Sequence, residues 1–135
     1  MGRVLPRARY VLVFVLCFAM LAQVNAMDLG ELKGRWVLEA IDGKEVASGG
    51  AEIYFQITEH SMSGYDGCNR FGGSIRDPSA MRKTQRACPP DTPLLPLNLS
   101  DPAPQLSRAT MRGGKLFVPL SDGTGEAQFR RSQEQ

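Results

Sequence analysis

The run Gly64-Tyr65-Asp66-Gly67-Cys68-Asn69-Arg70-Phe71-Gly72-Gly73, followed by Thr84-Gln85-Arg86-Ala87-Cys88, decides how this chain folds. Glycines at 64, 67, 72 and 73 permit the positive φ or close backbone approach that a tight crossover between strands requires. Asn69 carries a short amide able to bond neighbouring backbone groups in such a loop. Arg70 is placed to pair with Asp66 or Asp77 at the surface, worth about 0–1 kcal/mol. Cys68 and Cys88 lie 20 residues apart, and the third cysteine, Cys17, falls in an N-terminal segment with the marks of a removable leader. Two thiols left in an oxidising compartment favour one disulfide. Closing that loop stabilises a small domain by roughly 3 kcal/mol in the chain-entropy account.

The leader reading rests on residues 1–26. Arg3, Arg7 and Arg9 form a basic start with no acidic residue, and Tyr10 to Ala22 is uncharged and apolar. Val24-Asn25-Ala26 offers a cleavage site after Ala26. The apolar run falls short of the about 20 residues a bilayer crossing needs, so no stable membrane anchor is expected. Leu16 before Cys17 does not fit a lipidation site. Sec export to the periplasm or medium is the expectation, with a mature domain over 27–135.

Export changes the charge argument. The whole chain has 16 Lys+Arg against 14 Asp+Glu, and three of the arginines belong to the leader. The mature protein is therefore close to neutral, at about −1 with His60 uncharged. No basic stripe is expected to remain that could attract nucleic acid or anionic lipid. The remaining 109 residues suit one domain, expected as a monomer.

Short strands separated by tight turns dominate the pattern. Residues 36–41, 53–58, 61–65, 71–76, 80–86, 106–111, 115–120 and 126–131 read as about eight antiparallel strands, with turns at Asp42-Gly43, Glu59-His60, Gly113-Gly114 and Asp122-Gly123. That spacing fits a small barrel or sandwich. A short helical turn is expected near Asp28 to Lys33. Pro89 to Pro104 holds six prolines in sixteen residues and reads as an extended surface loop. Its leucines, Leu94, Leu95, Leu97 and Leu99, suggest that it lies against the core.

The Gly67-Cys68-Asn69-Arg70-Phe71-x-Gly73 run closely resembles the signature of the META domain, the HslJ-like family of heat-inducible bacterial envelope proteins. Leu32-x-Gly34-x-Trp36-x-Leu38 resembles the family's opening strand, Gly64 leads into the signature, and Thr84 with Ala87-Cys88 resembles its second motif. The resemblance implies a mainly β fold, α+β in the family: a cracked β-barrel of about eight short strands. Members usually carry a helix after the second cysteine, and here the proline-rich segment takes its place. The barrel is thus left with either a groove or an alternative plug, with Leu94, Leu95, Leu97 and Leu99 as a candidate binding edge.

Catalysis is weighed against this structural account. Cys68, His60 and Asn69 supply the residue types of a cysteine hydrolase. Pairing of the thiols removes the nucleophile, and His60 falls at an expected hairpin tip, so no catalytic residue is assigned. Cys68, Cys88 and His60 include no close-spaced ligand pair, so no metal or other cofactor is expected. Three classes of function remain. The resemblance implies a non-enzymatic role in envelope stress tolerance or upkeep, through an envelope protein or a lipid-like ligand. The alternatives are a pilotin-like module holding a lipid or secretin tail, and a small secreted inhibitor of a protease or lysozyme.

Overall fold

The computed structural model describes Gly2, residues 27–47 and residues 50–133. The leader and its cleavage site lie outside the described residues. Among the described residues, nine antiparallel strands form one sheet: β1 (Gly34–Ile41), β2 (Lys44–Glu45), β3 (Tyr54–Thr58), β4 (Ser61–Tyr65), β5 (Arg70–Ser74), β6 (Arg82–Lys83), β7 (Thr110–Arg112), β8 (Lys115–Pro119) and β9 (Glu126–Ser132). Their order is β6-β5-β4-β3-β1-β9-β8-β7, with β2 paired to the end of β1. The two outer strands, β6 and β7, do not pair with each other, so the sheet curves without closing into a barrel. The expected mainly β architecture is present. The ninth strand is β2, a two-residue return from the Asp42-Gly43 turn, too short to leave a periodic signal.

Side chains alternate across the sheet as pleating demands. Trp36 pairs with Phe55, Phe55 with Gly64, and Gly64 with Phe71, which makes one row across the inner face. Phe55 also meets Phe129 edge to face at 5.1 Å. Gly64 is the gap in the row: a Cβ there would collide with the Tyr54 carbonyl and crowd the Phe71 ring. The Trp36 indole N–H donates to the Leu32 carbonyl at 3.0 Å, so the largest core side chain buries no unsatisfied polar atom. Leu32 ends a short 3-10 turn, Leu29–Leu32, whose cap is the Asp28 carboxylate.

The inner face is covered by the proline-rich segment. Leu95 and Leu97 are 6% and 8% exposed and belong to the core, joined by the fully buried Leu106. The segment therefore plugs the fold. Two of the four leucines read as a binding edge, Leu95 and Leu97, are inside; Leu94 is exposed and Leu99 packs partly on the core. The physical reason is area: a curved sheet with one apolar face must bury it, and here no long helix does so.

A second correction concerns residues 106–111. The sequence pattern predicts one strand there, but α1 (Ala103–Ser107) precedes a shorter β7. Pro102 and Pro104 supply helix-compatible φ at the start, where a missing N–H costs nothing. Leu106 and Ala109, three apart, then both face the core. The reading of 80–86 as a strand also shortens, to β6 alone: after the Thr84 N–H bonds the Arg70 carbonyl, the Asn69 amide oxygen takes the Thr84 hydroxyl and the Arg86 N–H in place of a ladder.

Candidate functional site

The signature loop is a clamp built around two buried polar side chains. Asp66, 3% exposed, accepts from the backbone N–H groups of Cys68 at 2.9 Å and Asn69 at 2.6 Å, and pairs with Lys83 Nζ at 2.9 Å. Burial pushes the Asp66 carboxyl up, but the Asn69 N–H, the Lys83 ammonium and the Cys68 N–H together hold it below the usual aspartate value. Asn69 Oδ1 accepts from Thr84 Oγ1 at 3.0 Å and from the Arg86 N–H at 2.7 Å. The Arg70 N–H donates to Thr84 Oγ1. Cys68 and Cys88 form a disulfide with Cα atoms 5.8 Å apart. Gly67 has φ +107°, and a Cβ there would strike the Pro93 carbonyl. The Leu95 N–H bonds the Asp66 carbonyl at 2.7 Å, which ties the plug to the same loop.

These contacts assign physical roles to the signature residues. Asn69 and Thr84 join the two motifs, Phe71 and Trp36 fill the core, and Gly64 and Gly67 admit close backbone passage. Gly73 also needs its missing side chain, because a Cβ would crowd Met81, whereas at Gly72 a Cβ would find only ordinary contacts. Asp66 pairs with Lys83 and not with Arg70, and Asp77 accepts from Ser79. The centre of the loop is Asp66, which the sequence pattern marks only as a surface partner of Arg70; its place three residues before Asn69, an aspartate turn, is the local signal for this role.

His60 is exposed at the β3–β4 turn, where its carbonyl accepts from the Ile75 N–H. The clamp does not include it. Among the described residues, no group of three His, Cys, Asp or Glu side chains is placed to hold a metal ion.

The outer face of the sheet carries the other polar constellation. The β1–β9 register skips Glu39, a bulge that turns its carboxylate toward β8 and β9. Glu39 receives Lys115 Nζ at 2.7 and 2.8 Å and Gln128 Nε2 at 3.0 Å, with Arg130 Nε at 3.9 Å. Burial raises its pKa, yet Lys115, Gln128 and Arg130 outweigh this and leave it lowered. Glu52 bridges Arg130 at 2.7 Å and Arg35 at 3.2 Å. The Arg35 guanidinium stacks 3.8 Å above the Tyr54 ring, and its Nε is buried without a hydrogen-bond partner.

Two open clefts flank this network. One, of about 820 Å³, runs from Glu39 and Lys115 past Val46 to Tyr65. The other, of about 710 Å³, is lined by Arg35, Tyr54, Tyr65, Arg70, Thr84 and Arg86. No sequence signal marked either one, because their walls come from cross-strand neighbours far apart in the chain. Such a surface offers salt bridges and hydrogen bonds to a polar ligand; the interior is filled by Leu95, Leu97 and Leu106, and a further open cleft of about 650 Å³ lies along the plug beside Leu94, Leu95, Leu97, Leu99 and Lys83.

The fold agrees with the comparisons to known proteins. The family model of the META domain matches residues 28–133, and the chain belongs to that family. A solved protein, described only as an NMR structure, is similar in fold with a TM-score of 0.51 and 18% identity, over 78% of this chain and 95% of that one. No curated protein matches the chain.

Proposed function

We propose that this META-domain chain is an exported, non-enzymatic binding protein of the bacterial cell envelope, acting in its upkeep or stress tolerance. The observation that carries the reading is the contrast between its two faces. The inner face is closed by its own plug, and the outer face is an open, charged and aromatic surface. Both cysteines among the described residues are joined in one bridge, which supports recognition over nucleophilic chemistry. The basic leader and the Ala26 site support export. Among the described residues, no helix is long and apolar enough to cross a membrane.

Of the alternatives, a pilotin-like role requires an apolar tail in the space that Leu95, Leu97 and Leu106 occupy. An inhibitor role requires an exposed reactive loop, whereas the proline-rich segment is anchored through Leu95 and Leu97. Binding at the outer face is therefore preferred.

The test combines location and complementation. Protein recovered from the soluble envelope fraction should begin at Met27, and His60→Ala should restore a deletion strain fully. Full-length protein retained in the membrane would overturn export. Loss of complementation by folded His60→Ala would overturn the non-enzymatic reading.

A further inference from the structure

Against the expectation of no basic stripe, basic residues are concentrated in one part of a domain that is near neutral as a whole. Residues 70–86 contain Arg70, Arg76, Arg82, Lys83 and Arg86 against one acid, Asp77. Lys83 is committed to Asp66. Arg70, Arg82 and Arg86 make no ion pair among the described residues, and all three are exposed.

Sheet register sets these side chains around a shallow trough. Arg82 pairs with Gly72, Gly72 with Ser63, Ser63 with Gln56, and Gln56 with Arg35, a row with an arginine at each end. The neighbouring row runs Arg70, Tyr65, Tyr54. Between its terminal arginines the first row spans about 19 Å, from the spacing of adjacent strands. Its floor is low and polar: a glycine, a hydroxyl and an amide. The Ser63 hydroxyl and the Gln56 amide have no hydrogen-bond partner among the described residues. Tyr54 and Tyr65 form the wall beside it, and they also line the neighbouring cleft together with Arg35, Glu52, Arg70 and Arg86.

We propose that this outer-face trough binds an acidic glycan, a sugar chain carrying carboxylates. Building on the binding-protein reading above, it specifies the ligand class. The unpaired guanidinium groups of Arg82 and Arg70 match carboxylates through paired N–H donors, whereas Arg35 at the other end is already held by Glu52. The uncommitted hydroxyl and amide between them match sugar hydroxyls, and the tyrosines add flat apolar edges. A peptide fits less well. Strands β5, β4, β3 and β1 under the trough are hydrogen-bonded on both sides, and β6 at its end is an edge of only two residues, so a peptide would gain little ladder there. A membrane surface fits less well too, since the exposed large apolar residues, Leu94 and Met111, belong to the plug and the β7 edge.

The experiment is calorimetric titration of the mature protein with oligogalacturonate. Neutral maltooligosaccharide, oligoglutamate and single-stranded DNA of matched length serve as comparators. Saturable binding of oligogalacturonate is expected at about 50 mM salt, weakening as screening rises. Arg70→Glu with Arg82→Glu should weaken it at least about tenfold. Gln56→Ala with Ser63→Ala should weaken it for oligogalacturonate, a loss that charge alone does not produce. All variants should retain the wild-type circular dichroism and melting temperature. No saturable binding, equal binding of oligoglutamate or DNA, or unchanged affinity in either double variant would overturn the proposal. Those results leave the export and complementation outcomes untouched, so failure of the ligand class and failure of the binding-protein reading are separable.

Discussion

Asn69 Oδ1 accepts from Thr84 Oγ1 at 3.0 Å, and the same oxygen accepts from the Arg86 N–H at 2.7 Å. One side chain thus holds two residues of the segment that the Cys68–Cys88 bridge also holds. The clamp has a covalent half and a hydrogen-bonded half acting on the same few residues.

Each half contributes separately. Cys88→Ser should lower the melting temperature by something like 10 °C or more, since the bridge is worth roughly 3 kcal/mol and each kcal/mol shifts a small domain by about 4–8 °C. Mass spectrometry of the non-reduced wild type should show one linked peptide pair joining the two cysteines. Asn69→Ala should cost about 1–3 kcal/mol in urea unfolding, because the Arg86 N–H and Thr84 hydroxyl lose their acceptor. A change smaller than about 0.5 kcal/mol would reject the amide as a structural element of the clamp.

Asp66 makes the clamp sensitive to acid. Its folded carboxyl is lowered, so its stabilisation is present above the unfolded aspartate value of about 3.9 and fades as pH falls through the folded value. Wild type should therefore exceed Asp66→Asn in urea midpoint at neutral pH, and the gap should narrow below about pH 4. A gap constant from neutral to acid pH would mean that the ionised carboxylate contributes nothing.

Much of this fold was legible because its strands follow a period of two and end at turn dipeptides. Asp42-Gly43, Gly113-Gly114 and Asp122-Gly123 each mark a real reversal, with glycine at positive φ. The Cys68 and Asn69 region was legible because its glycines and amide have local jobs. What stayed hidden has a common cause. Leu106 looks the same in a strand and in a one-turn helix, and only contact with the plug selects the helix. Arg82 and Arg35 share a row only after five strands are in register, which no window of sequence reveals.

The plug makes a sharp distinction between neighbouring leucines. Leu97→Ala should cost about 2–5 kcal/mol by leaving a cavity under the sheet. Leu94→Ala, at an exposed position, should stay within about 0.5 kcal/mol of wild type. Equal effects at the two sites in thermal unfolding would contradict the seating of the segment.

Gln105 is the polar fastener of that plug. A proline-rich segment has fewer N–H groups to satisfy nearby carbonyls, so donors must come from elsewhere. Gln105, 3% exposed, gives its amide N–H groups to the carbonyls of Pro96 at 2.8 Å and Pro119 at 2.9 Å, and its Oε1 accepts from the Asn98 N–H at 2.9 Å. The three bonds join the plug, α1 and β8. Gln105→Ala removes all of them while deleting little apolar surface, so the loss reports on the bonds themselves. A cost of about 1–3 kcal/mol is expected, with faster hydrogen exchange at the Asn98 amide. Gln105→Glu keeps the acceptor for Asn98 but faces two carbonyls with oxygen, so it should be no better than alanine at neutral pH. If Gln105→Glu were as stable as wild type there, the donation to Pro96 and Pro119 would not be what holds the plug.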